Sequence, residues 1–180
     1  MRVVAMSTVV QAESGSTGGF EAGEALKLAF REHPAGVAVI TAQTPDGPVG
    51  LTVSSVASVA VDPPALSFSV TRATGSAGGV LHADSYVVNL LDSRHHELAK
   101  SFAVSGADRF TPEQGWSTLP TGEPYLLEAR AALRCRTLHQ LEVGSSVIVV
   151  AGVLDAHFGE SADPMAYINR QFRRLGDELA

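Results

Sequence analysis

"GLTVSSVASVAVDPPALSFSV", Gly50 to Val70, is the stretch on which the fold turns. Its first half places Leu51, Val53, Ala57, Val59 and Val61 at odd positions, interrupted only by Ser55. Thr52, Ser54, Val56, Ser58 and Ala60 occupy the even positions. Successive strand side chains point to opposite faces, so this spacing predicts one β-strand with a buried side. The other side is unusual, because a solvated strand face normally carries charge and none occurs between Gly50 and Val61. Asp62-Pro63-Pro64 ends the ladder, since proline has no N–H to donate. A second run follows, with Leu66, Phe68 and Val70 on one face and Ala65, Ser67, Ser69 and Thr71 on the other. Two consecutive strands therefore present short hydroxyls. Either another backbone packs closely on them, or a flat ligand approaches that needs hydrogen-bonding groups without bulk.

Outward from this stretch the pattern is one of hairpins. Val37–Gln43 reads as a strand, and "TPDGP" around Asp46-Gly47 as the turn that pairs it back with Val49 onward. Before it, Glu21–His33 reads as a helix with Ala22, Leu26, Ala29, Phe30 and His33 on one face, stopped by Pro34 and Gly36. Ser85–Leu91 reads as a strand and Arg94–Val104 as a helix with Leu98 and Phe102 on one side. "GWSTLPTGEPYL" reads as a loop by its Gly and Pro content. "ARAALRCRTLHQLEV" and "SVIVVAGVLDAHF" are two long strands, and Asp163-Pro164 is the expected start of a final helix. Hairpin-linked strands with a few peripheral helices predict a mainly β, antiparallel barrel rather than a doubly wound parallel sheet.

Composition narrows the function. The 180 residues are 45% hydrophobic, enough for one substantial core. The formal net charge of −6 argues against a nucleic-acid surface. The single cysteine, Cys135, cannot form an internal disulfide, which fits a reducing compartment and a cytoplasmic protein. No stretch is apolar enough for a membrane span. Residues 1–20 read as a flexible tail and 21–180 as one domain. The histidines lack metal-ligand spacing, and no Ser/His/Asp arrangement is evident, so no residue is assigned an acid-base or metal role.

After Thr71 come Arg72, Thr74, Gly75 and Ser76, a cation, two hydroxyls and flexible backbone within five residues. Such a set suits a phosphate, and equally an ordinary surface loop after a strand. Together with "FREHPAGVAVIT" (30–41), "DGPVGLTVSSVASVAVDPP" (46–64), "YVVNLL" (86–91), "LAKSFA" (98–103), "DRF" (108–110) and "PMAYINRQFRRL" (164–175), it resembles the short-chain flavin reductases. These are FMN-binding split-barrel proteins that include reductase components of two-component flavin monooxygenases.

The resemblance implies a homodimer of antiparallel split β-barrels that binds FMN or FAD and takes hydride from NADH or NADPH. It implies that Val49, Gly50, Leu51, Thr52, Val53, Ser54 and Ser55 line the isoalloxazine edge. Ser69, Val70 and Thr71 would flank the ribityl chain, and Arg72, Gly75 and Ser76 the phosphate. Ser101 and Phe102 would reach the cofactor from a helix. Tyr167 and Arg170, three apart on the expected final helix, would share a face and flank a ring. Arg173 and Arg174 would complement that helix's C-terminal dipole. The chemistry belongs to the cofactors, and the protein's part is to stack two rings in register.

One place departs from the family pattern. Where similar proteins carry Gly, an acidic residue and a His beside the nicotinamide, this chain reads Gly144, Ser145, Ser146. Ser146 is then the nicotinamide-side candidate. Two function classes follow: a flavin reductase supplying reduced flavin to a partner monooxygenase, or a flavin-binding carrier or chaperone with little pyridine-nucleotide turnover. A barrel used only for protein interaction leaves Arg72 to Ser76 without a purpose.

Overall fold

The structure is a computed structural model that describes residues 21–71 and 74–176. The expected N-terminal tail and Arg72 lie outside the described residues. The elements in chain order are α1 (Ala22–Arg31), β1 (Ala35–Gly36), β2 (Ala38–Thr44), β3 (Gly47–Val53), β4 (Ala57–Val61), β5 (Pro64–Thr71), α2 (Gly75–His82) and β6 (Tyr86–Leu90). A 3₁₀ turn at Ser93–His95 leads into α3 (His96–Ala103). There follow β7 (Trp116–Thr118), β8 (Pro124–Leu126), β9 (Ala131–Val143), β10 (Ser146–His157), β11 (Met165–Ile168) and β12 (Gln171–Arg174). No helix among the described residues is long and apolar enough to cross a membrane.

Seven strands form one antiparallel sheet in the order β3-β2-β6-β9-β10-β5-β4. The expected hairpin at Asp46-Gly47 joins β2 to β3, with Thr44 opposite Gly47 and the Thr44 hydroxyl donating to the Gly47 carbonyl at 2.8 Å. At the centre, Ala38 to Ala42 on β2 and Tyr86 to Asn89 on β6 are buried throughout. Such strands have neighbours on both faces, which is why both read as nearly continuous apolar runs. Ile40, Phe68, Val80, Tyr86, Val88 and Val149 fill one face, and Val39, Val87, Leu98, Phe102, Leu126 and Met165 fill the other. Cys135, on β9, is fully buried as a core residue, and that burial pushes its thiol up to about 12.

Gly50 to Val61 is two strands, which corrects the expectation of one. The Ser55 hydroxyl accepts from the Ser69 N–H at 2.9 Å and donates to the Ser69 carbonyl at 3.1 Å, substituting for ladder bonds. The chain therefore leaves β2 after Val53 and crosses to β5, where Ala57 pairs with Ser67. β3 and β4 become opposite edges of the same sheet, and the predicted apolar face dissolves beyond the break, with Val61 89% exposed.

Three further expectations are corrected. The "TGSAGG" loop is the start of α2, which can lie close on β3 because Gly79 has no side chain. A Cβ there would sit 2.9 Å from a Val49 methyl. "GWSTLPTGEPYL" is the short hairpin β7-β8. The final helix is the hairpin β11-β12, turned by Asn169 and Arg170 at φ 52° and 60°. Two positive φ values in a two-residue loop match the twist of paired strands, and tertiary pairing of β11 with β1 decides the matter. The dipole role for Arg173 and Arg174 disappears with the helix, and Arg174 pairs with Asp163 at 3.0 Å instead. α1 forms where expected, but none of its predicted inner face is buried.

Buried polar groups tie β7-β8 to the sheet. Asn89 donates to the Val39 carbonyl at 3.0 Å and accepts from the Leu126 N–H at 2.9 Å, while the Thr41 hydroxyl donates to the Pro124 carbonyl. Nearby, the Glu123 carboxylate accepts from the Ser85 and Thr121 hydroxyls and from Arg134 Nε at 2.7 Å. Burial alone would raise its pKa, but these donors outweigh it and bring the carboxyl down to about 2.

Candidate functional site

Thr52 at the end of β3, Ser54 and Ser55 just after it, and Ser69 of β5 line a cleft that the β11-β12 hairpin also lines. One cavity of about 910 Å³ has Thr52, Val53 and Ser54 on one wall, with Tyr167 and Phe172 on another. A second, of about 880 Å³, lies between α1 and the β3-β4 crossing and takes in Ser54, Ser55 and Ser69. Ser54, Tyr167 and Arg170 line both, so the hairpin turn is a ridge between two halves of a cleft. Tyr167 and Arg170 meet there although they do not share a helix face: the first is the penultimate residue of β11 and the second sits in the turn.

The charge of the first cavity opposes that of the whole chain. Its described lining contains Lys100, Arg170, Arg173 and Arg174, and no carboxylate. Two of these cations have partners just outside, Lys100 with Glu97 at 2.7 Å and Arg174 with Asp163 at 3.0 Å. An acidic protein with a cation-lined cleft is suited to an anionic ligand.

Several predicted residues act within the fold. The Thr52 hydroxyl donates to the Ala99 carbonyl at 2.7 Å, fastening α3 to β3, and the Ser101 hydroxyl donates to Leu98 within α3. With the Ser55 crossing, part of the hydroxyl face thus serves close backbone packing. Ser54 remains exposed in the cleft. Val70 is a core residue, while Val49 and Leu51 pack against the same core. Thr71 and Ser146 face each other in the β5-β10 ladder with hydroxyls 3.4 Å apart, and line neither cavity.

Gly50, Ser76, Ser101 and Phe102 form a separate group. Gly50 is buried against Phe102, whose ring would lie 2.7 Å from a Cβ at that position. What gathers the group is a residue to which sequence reasoning gave no role, Arg109. The signal was present in "DRF", but nothing in the spacing says where the guanidinium ends. Lys100 and Phe172 were likewise unassigned and line the first cavity.

The cleft suits a flavin: short side chains on β3 leave room for a planar ring system, Tyr167 and Phe172 give an aromatic wall, and the cations suit an anionic ligand, while Gly75 and Ser76 line neither cavity. Comparison with known proteins points the same way. The family "flavin reductase like domain" matches residues 30–176. An NADH:FMN oxidoreductase of Rhodococcus qingshengii is 35% identical over 152 residues, covering 82% of this chain and 79% of that one. The crystal structure of a flavin reductase domain protein from Arthrobacter sp. FB24 superposes with TM-score 0.81 at 28% identity, over 88% of this chain and 98% of the other. BorF, the flavin reductase component of a bacterial two-component tryptophan halogenase, gives 0.76 at 28% identity, over 87% and 99%. Matched along most of its length in sequence and in fold, the chain belongs to the flavin reductase like domain family.

Proposed function

We propose that this protein is an NAD(P)H:flavin oxidoreductase that reduces FMN or FAD and releases the reduced flavin to a partner monooxygenase. The observation that carries this reading is the divided cleft, in which Ser54, Tyr167 and Arg170 stand where two planar ligands could meet. The named activities of the Rhodococcus relative and of BorF support it. Residues 21–180 are proposed as one flavin-reductase-like domain. Its sheet has edge strands β3 and β4 joined by only the short segment Ser54–Val56, which supports the split barrel. Exposed Leu26 and Phe30 on α1, and Leu141 and Val143 on β9, support a homodimer. The fully buried Cys135 suits a cytoplasmic setting.

In this reading bound flavin supplies the hydride-accepting centre. Val49 to Ser55 and Ser69 to Thr71 present backbone and short side chains to it. Arg72, Gly75 and Ser76 hold the phosphate, Ser101 and Phe102 back the site from α3, and Tyr167 and Arg170 orient the ring. Ser146 takes the nicotinamide side. No residue needs to gain or lose a proton for positioning of this kind.

The test is anaerobic: NADH, then separately NADPH, is added to the protein with excess FMN, and the yellow absorbance is followed. Catalytic bleaching with at least one donor is expected. Flavin that binds and stays yellow with both overturns the reductase reading and leaves the carrier, the alternative favoured by Ser145 and Ser146. Restoring the imidazole with Ser146→His is expected to raise kcat/KM for the preferred donor by about tenfold, the scale of one well-placed hydrogen bond to a charged or polarised group.

A further inference from the structure

We infer that Arg109 is a positioning residue that turns Ser76 into a dedicated donor for the flavin phosphate. This inference rests on the proposed flavin site. Arg109 follows α3 and reaches back across it, and its planar fork meets three elements of structure at once, β3, α2 and α3 with its C-cap. Nη1 donates to the Gly50 carbonyl of β3 at 2.9 Å and to the Ser76 hydroxyl at 3.0 Å. Nη2 donates to the Val104 carbonyl at 2.7 Å, Nε to the Ser101 carbonyl at 3.4 Å, and the guanidinium carbon lies 5.4 Å from the Phe102 ring centre. Four of the residues assigned to the cofactor, Gly50, Ser76, Ser101 and Phe102, are therefore held by one side chain that has no place among them. Only a guanidinium has the planar set of donors that this arrangement uses.

The contact with Ser76 has a directional consequence. A serine hydroxyl both donates and accepts, and it can point either way. The Arg109 N–H takes one lone pair of the Ser76 hydroxyl and, having no acceptor, cannot receive its proton, so the O–H is left to donate elsewhere, outward from the first turn of α2. The adjacent positive charge also polarises that O–H, favouring an anionic acceptor. Partial burial lowers the guanidinium pKa, but arginine stays protonated at any working pH. Arg109 thus sets both the place and the polarity of the donor from behind.

The experiment compares FMN with riboflavin, which has the same ring and ribityl chain and no phosphate, by quenching of flavin fluorescence. Losing an arginine-backed hydrogen bond to phosphate should weaken FMN binding by about tenfold in Arg109→Gln, with riboflavin changed less than about threefold. Ser76→Ala, which deletes a single oxygen, should lower the FMN-to-riboflavin affinity ratio similarly. The double variant should lower it no further, because Arg109 acts through that hydroxyl. An unchanged ratio in Arg109→Gln, or equal losses for both flavins, overturns the role. If Arg109→Gln does not fold by circular dichroism, an unchanged ratio in Ser76→Ala overturns it instead. Wild-type protein that binds neither flavin overturns the flavin site itself, an outcome distinct from binding both while Arg109→Gln preserves the ratio.

Discussion

Phe102→Ala is expected to destabilise the protein by about 3–5 kcal/mol, the usual loss for truncating a fully packed aromatic ring. Phe102 is 2% exposed, within the core cluster that also holds Leu98, Ala99 and Leu126. Its ring meets Phe110 edge-on at 5.1 Å and Trp116 at 5.3 Å, and also lies close against Gly50 and within 5.4 Å of the Arg109 guanidinium carbon. Removing it opens a void between α3 and β3, the strand that walls the cleft. Urea unfolding would measure the loss, and Phe102→Leu, which keeps much of the volume, should lose roughly half as much. An alanine variant within 1 kcal/mol of wild type, a threshold far below any fully packed ring, would refute this packing.

The second large effect is set by pH. With its carboxyl held at about 2 against an ordinary 4.5, Glu123 contributes on the order of 3 kcal/mol at neutral pH, which Glu123→Gln should remove. The sign follows from the depressed pKa. Its contribution is complete above the unfolded value, near pH 5, and is lost as pH falls toward 2. Wild type and Glu123→Gln should therefore differ by a constant amount from pH 5 to 8 and converge in acid. Denaturant unfolding at pH 7 and pH 3 distinguishes this from a neutral packing role, for which the gap would not change. Glu123→Gln also leaves Arg134 without its counter-charge and replaces one of the two acceptor oxygens with an NH₂ donor at the root of the β7-β8 hairpin.

How far the sequence could be read depended on whether a feature is set by near neighbours. β2 follows from its apolar run, its pairing with β3 from the turn at Asp46-Gly47, and α3 from Leu98 and Phe102 four apart. α1 was readable as a helix, yet its apolar face stayed uncovered, because periodicity reports a face and not what meets it. The final hairpin misled for the same reason. "DPMAYINRQF" contains an acceptable N-cap and proline, and only pairing of Tyr167 with Ala35 selects a strand. Ser55 is the sharpest case, since one hydroxyl on the Ser69 backbone turns an unbroken alternating run into two edges of a sheet.

By itself the sequence determined the central strands of the sheet and the β2-β3 turn, the family resemblance, and the candidate hydroxyl, aromatic and cationic residues. Each of these depends on side-chain type and short-range spacing, which a chain carries in linear order. Tertiary structure alone decided that Tyr167 and Arg170 divide a cleft at Ser54, and that Arg109 gathers Gly50, Ser76 and Phe102 from three separate segments. Contacts such as those of Arg109 with Ser76 and Gly50, 33 and 59 positions apart, arise from the order in which elements pack, and no local pattern encodes that order.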